Sequence, residues 1–275
     1  MKSKKLAQTI LFVCALLFLT CITAGFCPKE DCYIGKLYEI STYSTNYSNS
    51  SMGRKENIRL AISAIDGYIL PPKTQFSFNE VVGERSEKRG YKQAKVILKG
   101  EYVDGLGGGV CQVSSTLYNA VLFAGLEILE ARPHTYLPSY VPPSFDCAVS
   151  YGYKDLRFYN NTDSPVVIRA KADGKIIKIS VLSAKSPEYT LKAKWVKLRD
   201  VLPNTKYIEQ DLGDDGVKEQ VIFGGSKGLV SEGYLEYYKD GKYAFTKKIR
   251  LDKYFAQDRI VAKGLRPALT DNEPT

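Results

Sequence analysis

Histidine is almost missing from this chain. There is one, His134, in 275 residues, beside one tryptophan and two methionines. With a single imidazole, no Cys-x-x-Cys pair and no His-x-x-x-His pair, the sequence offers no tetrahedral zinc ligand set. Neither a metal nor another cofactor is expected. The glycine run 107–109 does not continue into Gly-Lys-Ser/Thr, so it is no P-loop phosphate cradle. Ser114 and Ser115, which follow it, lie outside any Gly-x-Ser-x-Gly elbow and do not read as serine nucleophiles. The net charge is +9, yet no helix or ribbon carries a dense Lys/Arg cluster interleaved with aromatics. Nucleic acid is therefore not an expected partner. Lysines spread thinly over 92–99 and 171–197 suit an anionic wall or membrane face.

What is present points outward from the cytoplasm. Lys2, Lys4 and Lys5 precede an apolar stretch from Leu6 to Ile22, and Thr23-Ala24-Gly25 follows with small residues. Residues 1–26 read as a signal peptide or an N-terminal membrane anchor. Export sets the cysteine accounting. Cys14 and Cys21 fall in the apolar segment, leaving Cys27, Cys32, Cys111 and Cys147. An oxidising exterior permits Cys27–Cys32 to pair, and also permits Cys111–Cys147, which would silence the thiol at 111. Twenty tyrosines suit sugar-binding surfaces or the filling of strands.

Periodicity gives an α+β reading. After a linker, 27–39, a first strand is expected before Ser50. Ile58, Ala61, Ile62 and Ile65 mark a helix over 55–67, and strands are expected over 75–79 and 91–102. A central helix is expected from about Cys111 to Glu130, through Val113, Leu117, Ala120, Val121 and Ala124. Strand patterns then recur at 136–141, 146–153, 156–159, 166–170 and 176–182, with Asn160-Asn161 as a hairpin signal. The first domain is expected over 40–185, a central helix packed on mainly antiparallel strands. A small extended all-β module follows over 194–264, punctuated by Asp214-Asp215-Gly216, Gly224-Gly225, Gly228 and Asp240-Gly241, and 265–275 is a tail.

The stretch Gly107 to Tyr118 carries the chemistry. Its glycines let backbone N–H groups turn inward, and a sulfur at a helix N-terminus meets unpaired N–H groups and a favourable dipole. Both favour a thiolate, the nucleophilic form of cysteine. Cys111 and the sole imidazole, His134, which follows the predicted helix, are the minimum set for cysteine-based acyl transfer. Inward amides would bind a tetrahedral oxyanion. Asp146 or a backbone carbonyl would orient the histidine ring.

Gly107-Gly108-Gly109-Val110-Cys111-Gln112-Val113-Ser114-Ser115-Thr116-Leu117-Tyr118-Asn119 resembles the signature of VanW domains. Phe76-Ser77-Phe78-Asn79, Gly90-Tyr91, Ala94, Arg132, His134, Tyr140-Val141-Pro142, Asp146 and Asp155-Leu156-Arg157-Phe158 with Asn160-Asn161 extend the resemblance in order. It implies an exported, wall-associated peptidoglycan L,D-transpeptidase that makes 3-3 cross-links through a cysteine acyl-enzyme. In that reading Cys111 is the nucleophile and His134 the base. Gly109, Gln112, Ser114, Ser115 and Asp146 give oxyanion or supporting contacts, and Tyr118, Arg132 and Tyr136 meet the stem peptide. The His-Gly and Ser-His-Gly-Cys motifs of YkuD-type transpeptidases are absent. Tyr207-Ile208, Gly225, Gly228, Tyr234, Gly241 and Ile260-Val261-Ala262-Lys263-Gly264 resemble a G5 module, which implies contact with wall glycan. The alternative is a non-catalytic wall-binding or glycopeptide-resistance accessory protein.

Overall fold

The computed structural model describes residues 36–98, 101–210 and 219–264. The expected signal or anchor, the Cys27–Cys32 pair and the 265–275 tail lie outside the described residues. The chain forms two compact units. One contains the described residues to Val96, Asp104–Arg132 and Cys147–Leu191; the other contains Ile97–Val103, Pro133–Asp146 and the residues from Lys192 on.

The first unit runs β1 (Tyr38–Asn46), α1 (Met52–Ile65), β2 (Ile69–Leu70), β3 (Gln75–Ser77), α2 (Phe78–Val82), β4 (Gln93–Leu98), β5 (Glu101–Leu106), α3 (Val110–Phe123), β6 (Glu127–Glu130), β7 (Arg157–Tyr159), β8 (Val166–Ala172) and β9 (Ile176–Ser183), with the β4–β5 tip counted in the other unit. Its main sheet has the antiparallel order β1-β9-β8-β2. Ile58, Ala61, Ile62 and Ile65 recur at helical spacing, so α1 buries one stripe and leaves its other face wet. Ser51 caps it, accepting from the Arg54 N–H. α3 is buried almost all round and packs on β1, β9 and α1. Its buried polar groups are therefore tied to neighbours: Thr116 meets the Thr45 hydroxyl at 2.8 Å, and the Ala120 carbonyl accepts from Ser41.

Several local expectations change. The strands expected over 136–141 and 146–153 are turns and loop with isolated bridges at Ala148 and Ser150, and the one over 75–79 ends at Ser77, where α2 begins. The central helix stops at Phe123, because Gly125 takes φ +76°, and the alternating Glu-Ile-Leu-Glu beyond it becomes β6. The single strand over 91–102 is the two-stranded sheet of β4 and β5. Asn160-Asn161 joins no hairpin: β7 pairs with β3 and β6, while β8 pairs with β9 and β2. Asn160 is buried and its amide donates to the carbonyls of Leu70, Pro71 and Ser164, so it clips a crossover between two sheets.

The second unit is all β outside its loop 133–146. β10 (Thr190–Val201), β13 (Gly228–Lys239) and β14 (Lys242–Tyr254) form one sheet; β11 (Thr205–Gln210), β15 (Arg259–Gly264) and β12 (Glu219–Phe223) form another. β11 and β15 are parallel, β12 and β15 antiparallel. Lys239 pairs with Lys242 across Asp240-Gly241, both at positive φ, the two-residue turn that matches the twist of its strands. Most side chains of β10, β11 and β12 are exposed, so this is an extended module with little core. The protein is α+β, with a small all-β module.

Candidate active site

Three glycines set the start of α3. Gly109 is its N-cap at φ +109°, and a Cβ there would stand 3.0 Å from both Arg54 Cγ and Ile58 Cγ1. At Gly108 a Cβ would stand 2.7 Å from the Lys95 carbonyl oxygen. The loop is pressed against α1 and β4, and only glycine fits. Asn57, fully buried on α1, holds it there: its amide donates to the carbonyls of Gly108 and Lys92 and accepts from the Lys92 N–H. Val110 N–H donates to Gly107 O and Gln112 N–H to Gly109 O. The Gln112 backbone amide, at one of the positions named for oxyanion or supporting contacts, thus already donates within the turn.

Cys111 is the second residue of α3 and is partly exposed. Its sulfur lies 3.4 Å from the Val149 carbonyl oxygen and 3.5 Å from the Val149 nitrogen. Ser114 and Ser115, both buried, explain why Val149 is there. Ser114 Oγ donates to the Cys147 carbonyl at 2.7 Å, and Ser115 Oγ accepts from the Cys147 N–H at 2.9 Å. The two serines clamp the strand-like segment that borders the thiol, a supporting role. Cys111 and Cys147 are two thiols, not a disulfide, and Cys147 is buried.

Gln112 is turned inward. Its amide donates to Thr45 Oγ1 and the Asn46 carbonyl and accepts from Arg54 Nη2, so it ties α3 to β1 and α1. Tyr118 is 2 % exposed within the same helix. Arg132 is exposed, with Nε 3.1 Å from Glu130 Oε1, and its backbone bridges to Ala148. Tyr136 is half-buried in the second unit.

Arg85 was not legible as a site residue, yet it borders the thiol loop. A Cβ at Gly107 would stand 2.9 Å from its Cβ and Cγ, and its guanidinium lies over the Phe78 ring and donates to Asn79 Oδ1. Burial pulls the guanidinium below its ordinary pKa, opposed by the charges that Tyr91, Cys111 and Asp155 can carry. Its Nη2 is buried without a hydrogen-bond partner.

The imidazole belongs to the second unit. His134 Nδ1 lies 2.6 Å from Asp146 Oδ2, which also accepts the His134 backbone N–H at 2.7 Å. The His134 side chain is 10 % exposed and that of Asp146 0 %. Asp146 Oδ1 accepts from Arg250 Nη2 at 2.6 Å and from the Tyr254 hydroxyl at 2.5 Å. Burial alone would push the Asp146 carboxyl up. The His134 hydrogen bond, the Arg250 charge and the Tyr254 hydroxyl outweigh it and hold the carboxyl below its ordinary value. An ionised Asp146 fixes the proton on Nδ1 and turns Nε2 toward Tyr140, whose hydroxyl is 3.4 Å away. The pair has the geometry of an imidazole oriented by a buried carboxylate.

Comparison with known proteins follows the same residues. Residues 53–182 match the family described as VanW like protein. Over these residues the chain is similar to the VanW family. It is 46% identical over 162 residues to YoaR of Bacillus subtilis (strain 168), covering 57% of this chain and 53% of that protein. It is 28% identical over 137 residues to the vancomycin B-type resistance protein VanW of Enterococcus faecalis (strain ATCC 700802 / V583), covering 48% of this chain and 50% of that one. The chain spans about half the length of these curated relatives. Among solved structures, the HP0197-G5 crystal structure is 22% identical over 28% of this chain and 100% of its own, with a TM-score of 0.17. A TM-score this low decides nothing about the module, whose β architecture rests on its own strand pairing.

Proposed function

We propose that the VanW-like domain of this chain is a peptidoglycan L,D-transpeptidase. The observation that carries the reading is the Asp146–His134 pair, a buried carboxylate holding the only imidazole by Nδ1, in a chain that also presents Cys111 at a helix start. Cys111, as thiolate, attacks the carbonyl that precedes the terminal D-residue of a stem tetrapeptide. His134 takes the thiol proton and returns it to the leaving amine, so the D-amino acid departs and a thioester remains. A side-chain amine of a second stem then attacks the thioester, the sulfur leaves, and a 3-3 cross-link forms. Arg85, packed against Gly107, supplies positive charge to the thiol loop.

The expected setting is extracytoplasmic, with the chain secreted or anchored through residues 1–26 and associated with the wall. Exposed Trp195, Tyr207, Phe223 and Phe245 on the second unit favour a further role in holding wall glycan, since aromatic faces stack on sugar rings. Incubating the purified protein with disaccharide-tetrapeptides and analysing products by mass spectrometry tests the reading. Cross-linked dimers are expected from the wild type and none from Cys111→Ala. Free D-amino acid without dimers would instead identify a hydrolase, and sacculus binding without turnover a wall-binding accessory protein.

A further inference from the structure

The C-terminal strands hold more than glycan candidates. Arg250, Asp252 and Tyr254 alternate along β14, so strand periodicity places them on one face. Ser231 and Gly233 lie opposite on β13. The loop 144–146 is seated on that face. Tyr254 Oη accepts the Ser144 N–H at 2.8 Å while donating to Asp146, and the Ser144 and Ser231 hydroxyls meet at 2.8 Å. A Cβ at Gly233 would stand 2.8 Å from Ser144 Cβ, so glycine is what lets the loop approach. Further along the same segment, Phe255 N–H donates to the Thr135 carbonyl.

Arg250 lies between two carboxylates, Nη2 2.6 Å from Asp146 and Nε 2.6 Å from Asp252, with its side chain 12 % exposed. Removing the guanidinium leaves the buried Asp146 and Asp252 carboxyls without the cation between them. We propose that Arg250 and Tyr254, two residues of the C-terminal module, are positioning residues for His134: they fix the Asp146 carboxylate and through it the tautomer and direction of the ring. The module is then part of the catalytic machinery as well as an appendage for the wall.

The catalytic consequence rests on the transpeptidase reading, but the positioning does not, and the chain allows the two to be read apart. One histidine gives one imidazole signal in 15N-histidine NMR of the full chain. Wild type is expected as a single Nδ1–H tautomer over the neutral range. Tyr254→Phe, which keeps the ring and loses one of the hydrogen bonds to Asp146, is expected to give a tautomer mixture. Arg250→Met is expected to move the imidazole titration upward in pH, because a positive neighbour is lost, and Arg250→Lys to restore most of it. In the cross-linking assay kcat is expected to fall on the order of 10-fold with KM unchanged, a part of the ~10²–10⁴ a general base supplies. Folded Tyr254→Phe with the wild-type tautomer overturns the proposal, even if Arg250→Met fails to fold. A wild type without turnover but with these NMR responses defeats the transpeptidase reading alone.

Discussion

The Val149 peptide brackets the Cys111 sulfur, its carbonyl oxygen at 3.4 Å and its nitrogen at 3.5 Å. The N–H favours a thiolate, whereas the carbonyl favours a thiol that can donate to it. The sulfur is thus held in place in either state, and the serines of α3 set the position of the peptide that does it.

Ser115→Ala tests that clamp. It leaves the buried Cys147 N–H without the acceptor it has at 2.9 Å. A loss of roughly 1–3 kcal/mol in unfolding free energy is expected, read by urea titration. Alkylation of Cys111 by iodoacetamide is expected to change in the folded protein, since Val149 is released. An unchanged stability would mean that the serine pair is incidental.

Arg85→Met removes the cation at the thiol loop. A positive neighbour favours the thiolate, so the rate of Cys111 alkylation at neutral pH is expected to drop several-fold. The rate-against-pH curve should move toward higher pH, while Arg85→Lys should fall between. Identical curves for wild type and Arg85→Met would detach Arg85 from the sulfur.

Acid stability follows from Asp146. Its folded pKa lies below the ordinary 3.8, so its contribution is full above the unfolded value and disappears as pH falls through the folded one. Asp252 works in the opposite sense: burial, and then the charge of Asp146, raise it against the pull of Arg250, so its contribution declines as pH rises above 3.8. Asp146→Asn is expected to flatten the acid limb below pH 3.8 and to cost about 1–3 kcal/mol at neutral pH, because Arg250 and Tyr254 lose a charged acceptor while Asp252 still pairs with Arg250. Thermal unfolding between acid and neutral pH checks both parts.

Two glycines separate conformation from packing. Gly125→Ala meets open space at φ +76° and is expected to cost about 1 kcal/mol. Gly109→Ala adds contact at 3.0 Å with α1 to its φ of +109° and is expected to cost more, on the order of 2–4 kcal/mol. Equal losses in denaturant titration would mean that the loop is not pressed on α1.

Much of this was legible in the sequence because it is local. Helical spacing found α1 and the start of α3, and the α+β class followed from the period-two patterns at 156–159, 166–170 and 176–182, which are β7, β8 and β9, whereas those at 136–141 and 146–153 form no strands. Asp240-Gly241 marked its turn. Local signals also misled. The glycines before Cys111 carried no sign of the tight contacts with α1 and β4 that they make. Asn160-Asn161 read as a hairpin because nothing in the sequence says that β7 and β8 join different sheets. Arg85 sits in a polar stretch without periodicity, so its approach to Gly107 had no signature. Arg250 and Tyr254 were out of reach of pattern reading, being 104 and 108 residues from the carboxylate they hold.

Intact-mass spectrometry of the protein after a short incubation with a stem tetrapeptide tests the central claim most directly. The expected result is an adduct equal to the tetrapeptide less its terminal D-residue, mapped to Cys111 and absent from Cys111→Ala. A wild-type protein that turns over tetrapeptide with no adduct at Cys111, or a Cys111→Ala protein that turns it over equally well, would contradict it.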